Sequence, residues 1–169
     1  MAITPATLAD VPELVKLINS AYRGETSKKG WTTEADLIDG QRIDSEGLEQ
    51  QMAEPQTTIL KNTNDEGRVT GCVNLQKRAD KVYLGMLTVS PTLQANGLGK
   101  QLLNAAEDYT RSINCNAVTM TVITTRTELI NWYKRRGYSK TGETVPLVIP
   151  EQFGNLKQPL DMYIMEKAV

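Results

Sequence analysis

The sequence predicts a mixed α/β fold, a mostly antiparallel central sheet with helices on both faces. Three observations predict it. Residues 57–61, 68–76 and 82–89 are strand-like runs separated by short polar turns, the pattern of a three-strand meander. The apolar run Val82 to Val89 leads through a glycine turn into an amphipathic helix and on to Val118-Thr119-Met120-Thr121-Val122, as a crossover connection requires. A second helix and an apolar closing run, Leu160 to Glu166, extend the alternation. At 169 residues the chain has the size of one domain, 1–169, and can bury a core without staples.

The elements follow in order. Ala2 to Thr4 reads as a short strand. Asp10 and Glu13 have the spacing of a capping box, so a helix runs from there to about Tyr22 with Leu14, Leu17, Ile18 and Ala21 on its buried face. Arg23 to Asp44 is irregular; Thr33-Glu34-Ala35-Asp36 opens a short helix through Ile38, stopped at Gly40. Ser45 to Ala53 is another short helix, with Leu48 and Met52 four apart. Thr57 to Lys61, the polar turn Asn62 to Gly67, and Arg68 to Gln76 form a hairpin, and Ala79-Asp80 turns the chain into the central strand.

That strand is apolar at both alternating sets of positions, as expected of one covered on both faces, and Ser90-Pro91 ends it. After Gln94-Ala95-Asn96-Gly97-Leu98-Gly99-Lys100, apolar residues recur at Leu98, Leu102, Ala105, Ala106 and Tyr109, one face of a helix. Further on, Thr125 and Glu128 have capping-box spacing, and the helix they open carries Leu129, Ile130, Trp132 and Tyr133 to Gly137. Leu147-Val148-Ile149 reads as a strand, and residues 150–159 as a loop.

The glycine turn has a chemical meaning. A helix start leaves backbone N–H groups unpaired and carries partial positive charge, so it suits an anion. Gly97 and Gly99 leave room for a diphosphate to approach, and Lys100 adds charge. A P-loop is excluded, because Gln94 and Gln101 stand where its first glycine and its hydroxyl belong; a dinucleotide fingerprint is excluded by Leu102. The same turn also reads as a plain helix start with permissive glycines.

Composition removes other chemistries. The chain has no histidine and two cysteines, Cys72 and Cys115, so neither a His/Cys zinc site nor a Ser-His-Asp or Cys-His engine can be assembled, and no metal is expected. Both cysteines read as buried reduced thiols. A net charge of −1 gives no field favouring nucleic acid or an acidic membrane. No leader or membrane-spanning run is present, from which a cytoplasmic location is expected.

Leu87-Thr88-Val89-Ser90-Pro91, then Gln94-x-x-Gly97-x-Gly99 and Leu102-Leu103, resembles the acetyl-CoA motif of the GCN5-related N-acetyltransferases, the GNAT superfamily. Trp132-Tyr133-Lys134-Arg135-Arg136-Gly137-Tyr138 resembles that superfamily's later Y-x-x-x-G-F/Y signature. The resemblance spans roughly residues 2 to 140 and is weakest over 23–44 and beyond 140. It implies a sheet whose parallel pair, near 82–89 and 117–123, splays apart to admit pantetheine.

It further implies an acetyl-CoA-dependent N-acetyltransferase in which a primary amine attacks the thioester directly. Backbone groups of Leu87 and Val89 would pair with pantetheine, the Leu87 amide would stabilise the oxyanion, and the amides of Gln94, Ala95, Asn96, Gly97, Leu98, Gly99 and Lys100 would hold the pyrophosphate. Tyr133 takes the place of the general acid for the CoA sulfur. The chain departs from the pattern twice. Gly85 and Met86 occupy the positions where many members carry a glutamate base, and Arg126 stands where an asparagine is frequent, either meeting a CoA phosphate or lying exposed on the helix's first turn.

Arg23, Glu25, Trp31 and Glu34 fall where the family forms one wall of the acceptor site, with Glu25 and Glu34 as alternative bases. Acids are mixed there with Arg23, Lys28, Lys29 and Arg42, which points to a small or amino-acid-like amine. The alternatives are a protein N-acetyltransferase and a non-catalytic module that binds or senses CoA, with nucleotide binding third. The resemblance also admits a homodimer, since this fold often pairs through its terminal strands.

Overall fold

The computed structural model describes residues 2–23, 35, 37–94, 96–149 and 155–169. Its strands are β1 (Ala2–Pro5), β2 (Ile38–Asp39), β3 (Thr57–Thr63), β4 (Val69–Arg78), β5 (Lys81–Val89), β6 (Ala117–Ile123), β7 (Ser139–Pro146), β8 (Asn155–Leu156) and β9 (Asp161–Ala168). The helices are α1 (Val11–Tyr22), α2 (Ser45–Ala53), α3 (Leu98–Ser112) and α4 (Thr127–Lys134). The main sheet runs β1-β3-β4-β5-β6-β9-β7, with β5 and β6 parallel and every other pair antiparallel. The mostly antiparallel mixed sheet is therefore as expected.

The two faces of the sheet bury different helices. On one, Leu98, Leu102, Leu103 and Ala106 of α3 pack with Val73, Leu75, Val82, Leu84, Val118 and Met120. On the other, Val11, Leu14, Leu17 and Ile18 of α1 and Leu48 of α2 pack with Ile59, Cys72 and Met86. Strand β5 contributes to both because it changes face partway along. Cys72 pairs with Thr88 and Asn74 with Gly85, so β5 carries one extra residue here, and Met86 has a left-handed φ of 51°. Val82 and Leu84 accordingly face α3, whereas Met86 faces α1.

The parallel pair has a short ladder. Lys81, Val82 and Tyr83 pair with Ala117, Val118 and Thr119, and the pairing goes no further. Beyond Tyr83 the two strands diverge, with the bulge on the diverging part.

Several local expectations are corrected. Asp10 precedes α1, but the box is formed with Thr7, whose amide donates to Asp10 Oδ2 at 2.8 Å; Glu13 Oε2 instead accepts from the Val69 amide. Helix α4 begins after Arg126 without a side-chain cap, so the Thr125 box is not made. Ile38 lies in a strand pairing with β8 rather than in a helix. The strand expected at 147–149 is displaced to β7, a polar edge strand exposed along most of its length. Its side chains meet water on both faces, so no apolar alternation marks it. Leu147 and Ile149 pack as coil against Ile38, Ile123 and Leu160. Among the described residues no helix is long and apolar enough to cross a membrane.

Candidate active site

The turn after β5 is built by two devices. The Gln94 side-chain amide donates back to the Val89 carbonyl at 3.2 Å, and Gly97, with φ 79°, caps α3 in the left-handed conformation. A Cβ on Gly97 would meet nothing within 4 Å, so the space in front of the helix start is open. A Cβ on Gly99 would lie 3.5 Å from the Trp132 ring, which fixes how closely α4 approaches. The first turn of α3 carries no acidic residue, and Lys100 is exposed beside it. Among the described residues its N–H groups and dipole thus face open space with no acid in the first turn to neutralise them, which suits a diphosphate.

From this turn a cavity of about 420 Å³ runs inward between β5 and α4. It brings together Leu87, Val89, Gln94, Gly97, Leu98, Gly99, Lys100, Arg126 and Tyr133, all singled out in the sequence. Asn96 is exposed and outside this lining, and Ala95 lies outside the described residues. Tyr22, Trp132 and Arg136 line the cavity too and were not singled out individually. Arg136 stacks with its Cζ 3.9 Å from the Trp132 ring centroid and donates to the Trp132 carbonyl at 2.9 Å.

A second cavity, about 410 Å³, fills the gap where β5 and β6 part. Tyr22, Leu87, Arg126, Leu129 and Tyr133 line both cavities. These five residues form the junction between a channel that starts at the helix end and a chamber on the opposite side of β5.

A model of the Acetyltransferase (GNAT) family matches residues 13–138. The chain belongs to that family. Enzymes of the GNAT family use acetyl-CoA, and this GNAT member is an N-acetyltransferase. Solved structures agree on the fold. A ribosomal-protein-alanine N-acetyltransferase from Brucella melitensis superposes with TM-score 0.73 at 20% identity, covering 100% of both chains. The ribosomal-protein-S18-alanine N-acetyltransferase from Escherichia coli gives 0.73 at 15%, covering 99% of this chain and 93% of that one. A GNAT acetyltransferase from Streptococcus pneumoniae gives 0.67 at 22%, covering 99% of each.

In this GNAT member Tyr133 is buried near the C-terminus of α4, edge-on to Trp132 and Tyr138 at centroid distances of 5.1 and 5.8 Å. No described residue hydrogen-bonds its hydroxyl. Burial pushes its phenol well above the usual range, Tyr22 adds to this, and the Arg126 guanidinium opposes it. Tyr133 therefore stays protonated at neutral pH, and burial makes it a weaker acid than a free phenol. Arg126 is buried at the junction rather than exposed, preceding α4 and accepting the first helical bond from Ile130.

The acceptor-side residues divide. Arg23 is buried, lines the second cavity and donates to the Gln41 carbonyl at 3.3 Å. Glu25, Trp31 and Glu34 lie outside the described residues. On β5, Gly85 and Met86 line the second cavity next to Leu87 and supply no carboxylate there, as the sequence indicates. Arg42, one of the acceptor-region charges read from the sequence, lines the second chamber, and so does Tyr83, which reasoning from the sequence missed. Tyr83 was legible only as a strand residue; its hydroxyl bonds Thr121 Oγ1 across the split at 2.9 Å.

Proposed function

We propose that the chain, acting as one domain, transfers the acetyl group of acetyl-CoA to a primary amine of a small acceptor, with the amine attacking the thioester directly. The observation that carries this reading is the junction. One cavity reaches it from a helix end suited to a diphosphate, another from the opposite side of the sheet, and the five shared residues mark the point where two substrates would meet.

The residues fit acetyl-CoA. The amides of Gln94 through Lys100 would hold its pyrophosphate, and Leu87 and Val89 would pair with its pantetheine arm as an added strand does. When bound, it supplies an activated acyl group with a thiolate leaving group. The bulge at Met86 turns the backbone out of the regular ladder, and the Leu87 amide following it is the donor for charge developing on the acyl oxygen. Tyr133, held protonated by burial, gives its proton to the departing sulfur. With no carboxylate at Gly85 or Met86, the proton of the attacking amine leaves through water or to a carboxylate elsewhere. Arg126 puts positive charge beside the reacting centre, where it favours the negative charge that develops on the acyl oxygen and the departing sulfur.

Two of the neighbouring structures are named for a ribosomal-protein alanine as acceptor. At their low identity the likeness speaks for the fold alone, and it is the size and lining of the cavity that support a small acceptor. Calorimetric titration with acetyl-CoA, repeated on Gly97→Glu, tests the site. Binding by the parent that is lost when a carboxylate is placed at Gly97 supports it, and a folded parent that ignores both acetyl-CoA and CoA removes it. Binding without turnover of any amine would favour a CoA-binding or sensing module.

A further inference from the structure

The acceptor chamber does not end at the bulge. Past Gly85 and Met86 it opens into a third cavity of about 250 Å³, formed by the end of α2, the start of β3 and the face of β4 and β5. Arg42, Gln51 and Tyr83 line both chambers, and Arg78 stands at the far end.

Arg78 is held by an aromatic ring and side-chain hydrogen bonds, Arg42 by an aromatic ring and through its backbone. The Arg78 Cζ lies 4.1 Å from the Tyr83 ring centroid, and its Nε and Nη2 both donate to Gln76 Oε1, at 3.0 and 2.9 Å. The Arg42 Cζ lies 5.5 Å from the Tyr22 ring centroid. Its backbone is fixed by Asn19, whose Oδ1 accepts from the amides of Arg42 and Ile43 at 2.6 and 3.0 Å. Neither guanidinium has a carboxylate within ion-pair distance among the described residues; Glu54 is the acid in the wall of the third cavity. A stacked guanidinium with one edge already occupied presents its remaining N–H groups in a fixed direction, the arrangement that recognises carboxylate oxygens.

The same walls hold acceptors that lack donors. The side-chain amide oxygens of Gln51 and Asn74 are buried with no hydrogen-bond partner among the described residues. Leaving such atoms unpaired is costly, so a guest that donates N–H groups is favoured there. Gln51 lines both chambers, so its oxygen can meet the N–H groups of an amine bound between them, while the two guanidiniums meet an anionic end.

We propose that the acceptor is a small primary amine that also bears a carboxylate, its carboxylate held by Arg42 and Arg78 and its amine directed past Gly85 to Leu87. This rests on the acetyltransferase reading of the same site and narrows it. A diamine or polyamine would bring a second cation against two arginines and is selected against.

Thiol release from acetyl-CoA, measured on glycine, β-alanine, 4-aminobutanoate and 5-aminopentanoate, each against its own carboxamide, tests the assignment. At the preferred chain length the acid should show a kcat/KM at least tenfold above its amide, mainly through KM. Arg78→Gln and Arg42→Gln should each raise the KM of that acid about tenfold or more and the KM of its amide far less, with the calorimetric affinity for acetyl-CoA unchanged. Equal use of acids and amides at every length, preference for amides or diamines, or no turnover of any acid by protein that binds acetyl-CoA would each overturn it. In those cases the cofactor site stands; failure to bind acetyl-CoA at all would remove both readings.

Discussion

The Tyr22 hydroxyl donates to the Leu87 carbonyl oxygen at 2.9 Å, tying the last residue of α1 to the strand just beyond the bulge. The bond crosses the junction of the two cavities, so α1 helps to fix the backbone segment whose amide is assigned to the acyl oxygen. A carbonyl has two lone pairs, which leaves one for a ligand's N–H. Tyr22→Phe should cost about 1 kcal/mol in urea denaturation. Because the Leu87 segment loses a restraint, kcat should fall several-fold while the affinity for acetyl-CoA changes little. A loss confined to that affinity would instead place Tyr22 in cofactor binding alone.

Tyr133→Phe removes the proposed acid but keeps the ring packed against Trp132 and Tyr138. A thiol is already a tolerable leaving group, so kcat should drop on the order of ten- to a hundredfold rather than vanish. Burial holds the parent's phenol protonated, so its kcat–pH profile should show no descending limb from this residue below pH 10. Unchanged kcat in the variant would take the role away.

Alkaline stability follows from buried acids. Burial pushes the Cys72 thiol from 9.0 up to about 12. A group whose folded pKa is raised contributes stability in full below its unfolded value and loses it as pH rises towards the folded one. Stability should therefore begin to fall as pH passes 9.0, with Tyr133 and Tyr138, both raised mainly by burial, adding to the loss above 10. Urea midpoints at pH 7.5 and 10 should separate more for the parent than for Cys72→Ala. Equal separation would show that Cys72 does not carry the effect.

Gly71 sits where β4 passes under α3. A Cβ there would come within 2.9 Å of both Leu102 Cδ1 and the Thr88 carbonyl oxygen. A leucine methyl can move, but a carbonyl in a central strand cannot. Gly71→Ala should cost about 1–3 kcal/mol by denaturant unfolding, whereas Gly67→Ala, with nothing within 4 Å but a φ of 81°, reports backbone strain alone.

The cofactor end of the site was legible because its parts are consecutive: a strand, two glycines and a helix face occupy residues 82–109. The acceptor end was not. Arg42 was legible as one charge of the acceptor region, but Gln51, Asn74, Arg78 and Tyr83 come from α2, β4 and β5, and each looks like an ordinary polar or strand residue until the sheet brings them together. The bulge at Met86 left no mark either, since its left-handed backbone is imposed on a methionine rather than offered to a glycine. Strand β7 failed for the opposite reason. It is an edge whose hydrogen bonds to β9 hold it while its side chains stay in water, and pattern-reading follows side chains.

The three residue pairs shared by β5 and β6 make the molecule a peg with a sprung end. Lys81 Nζ reaches past β6 to Glu166 on β9 at 3.0 Å, clamping that end shut. How wide the jaws stand is then set by main-chain pairing, by this ion pair and by the Tyr83–Thr121 hydrogen bond across the split. Substitutions around Lys81, Ala117 and Glu166 are accordingly where a larger acyl group could be admitted without altering any residue that meets it.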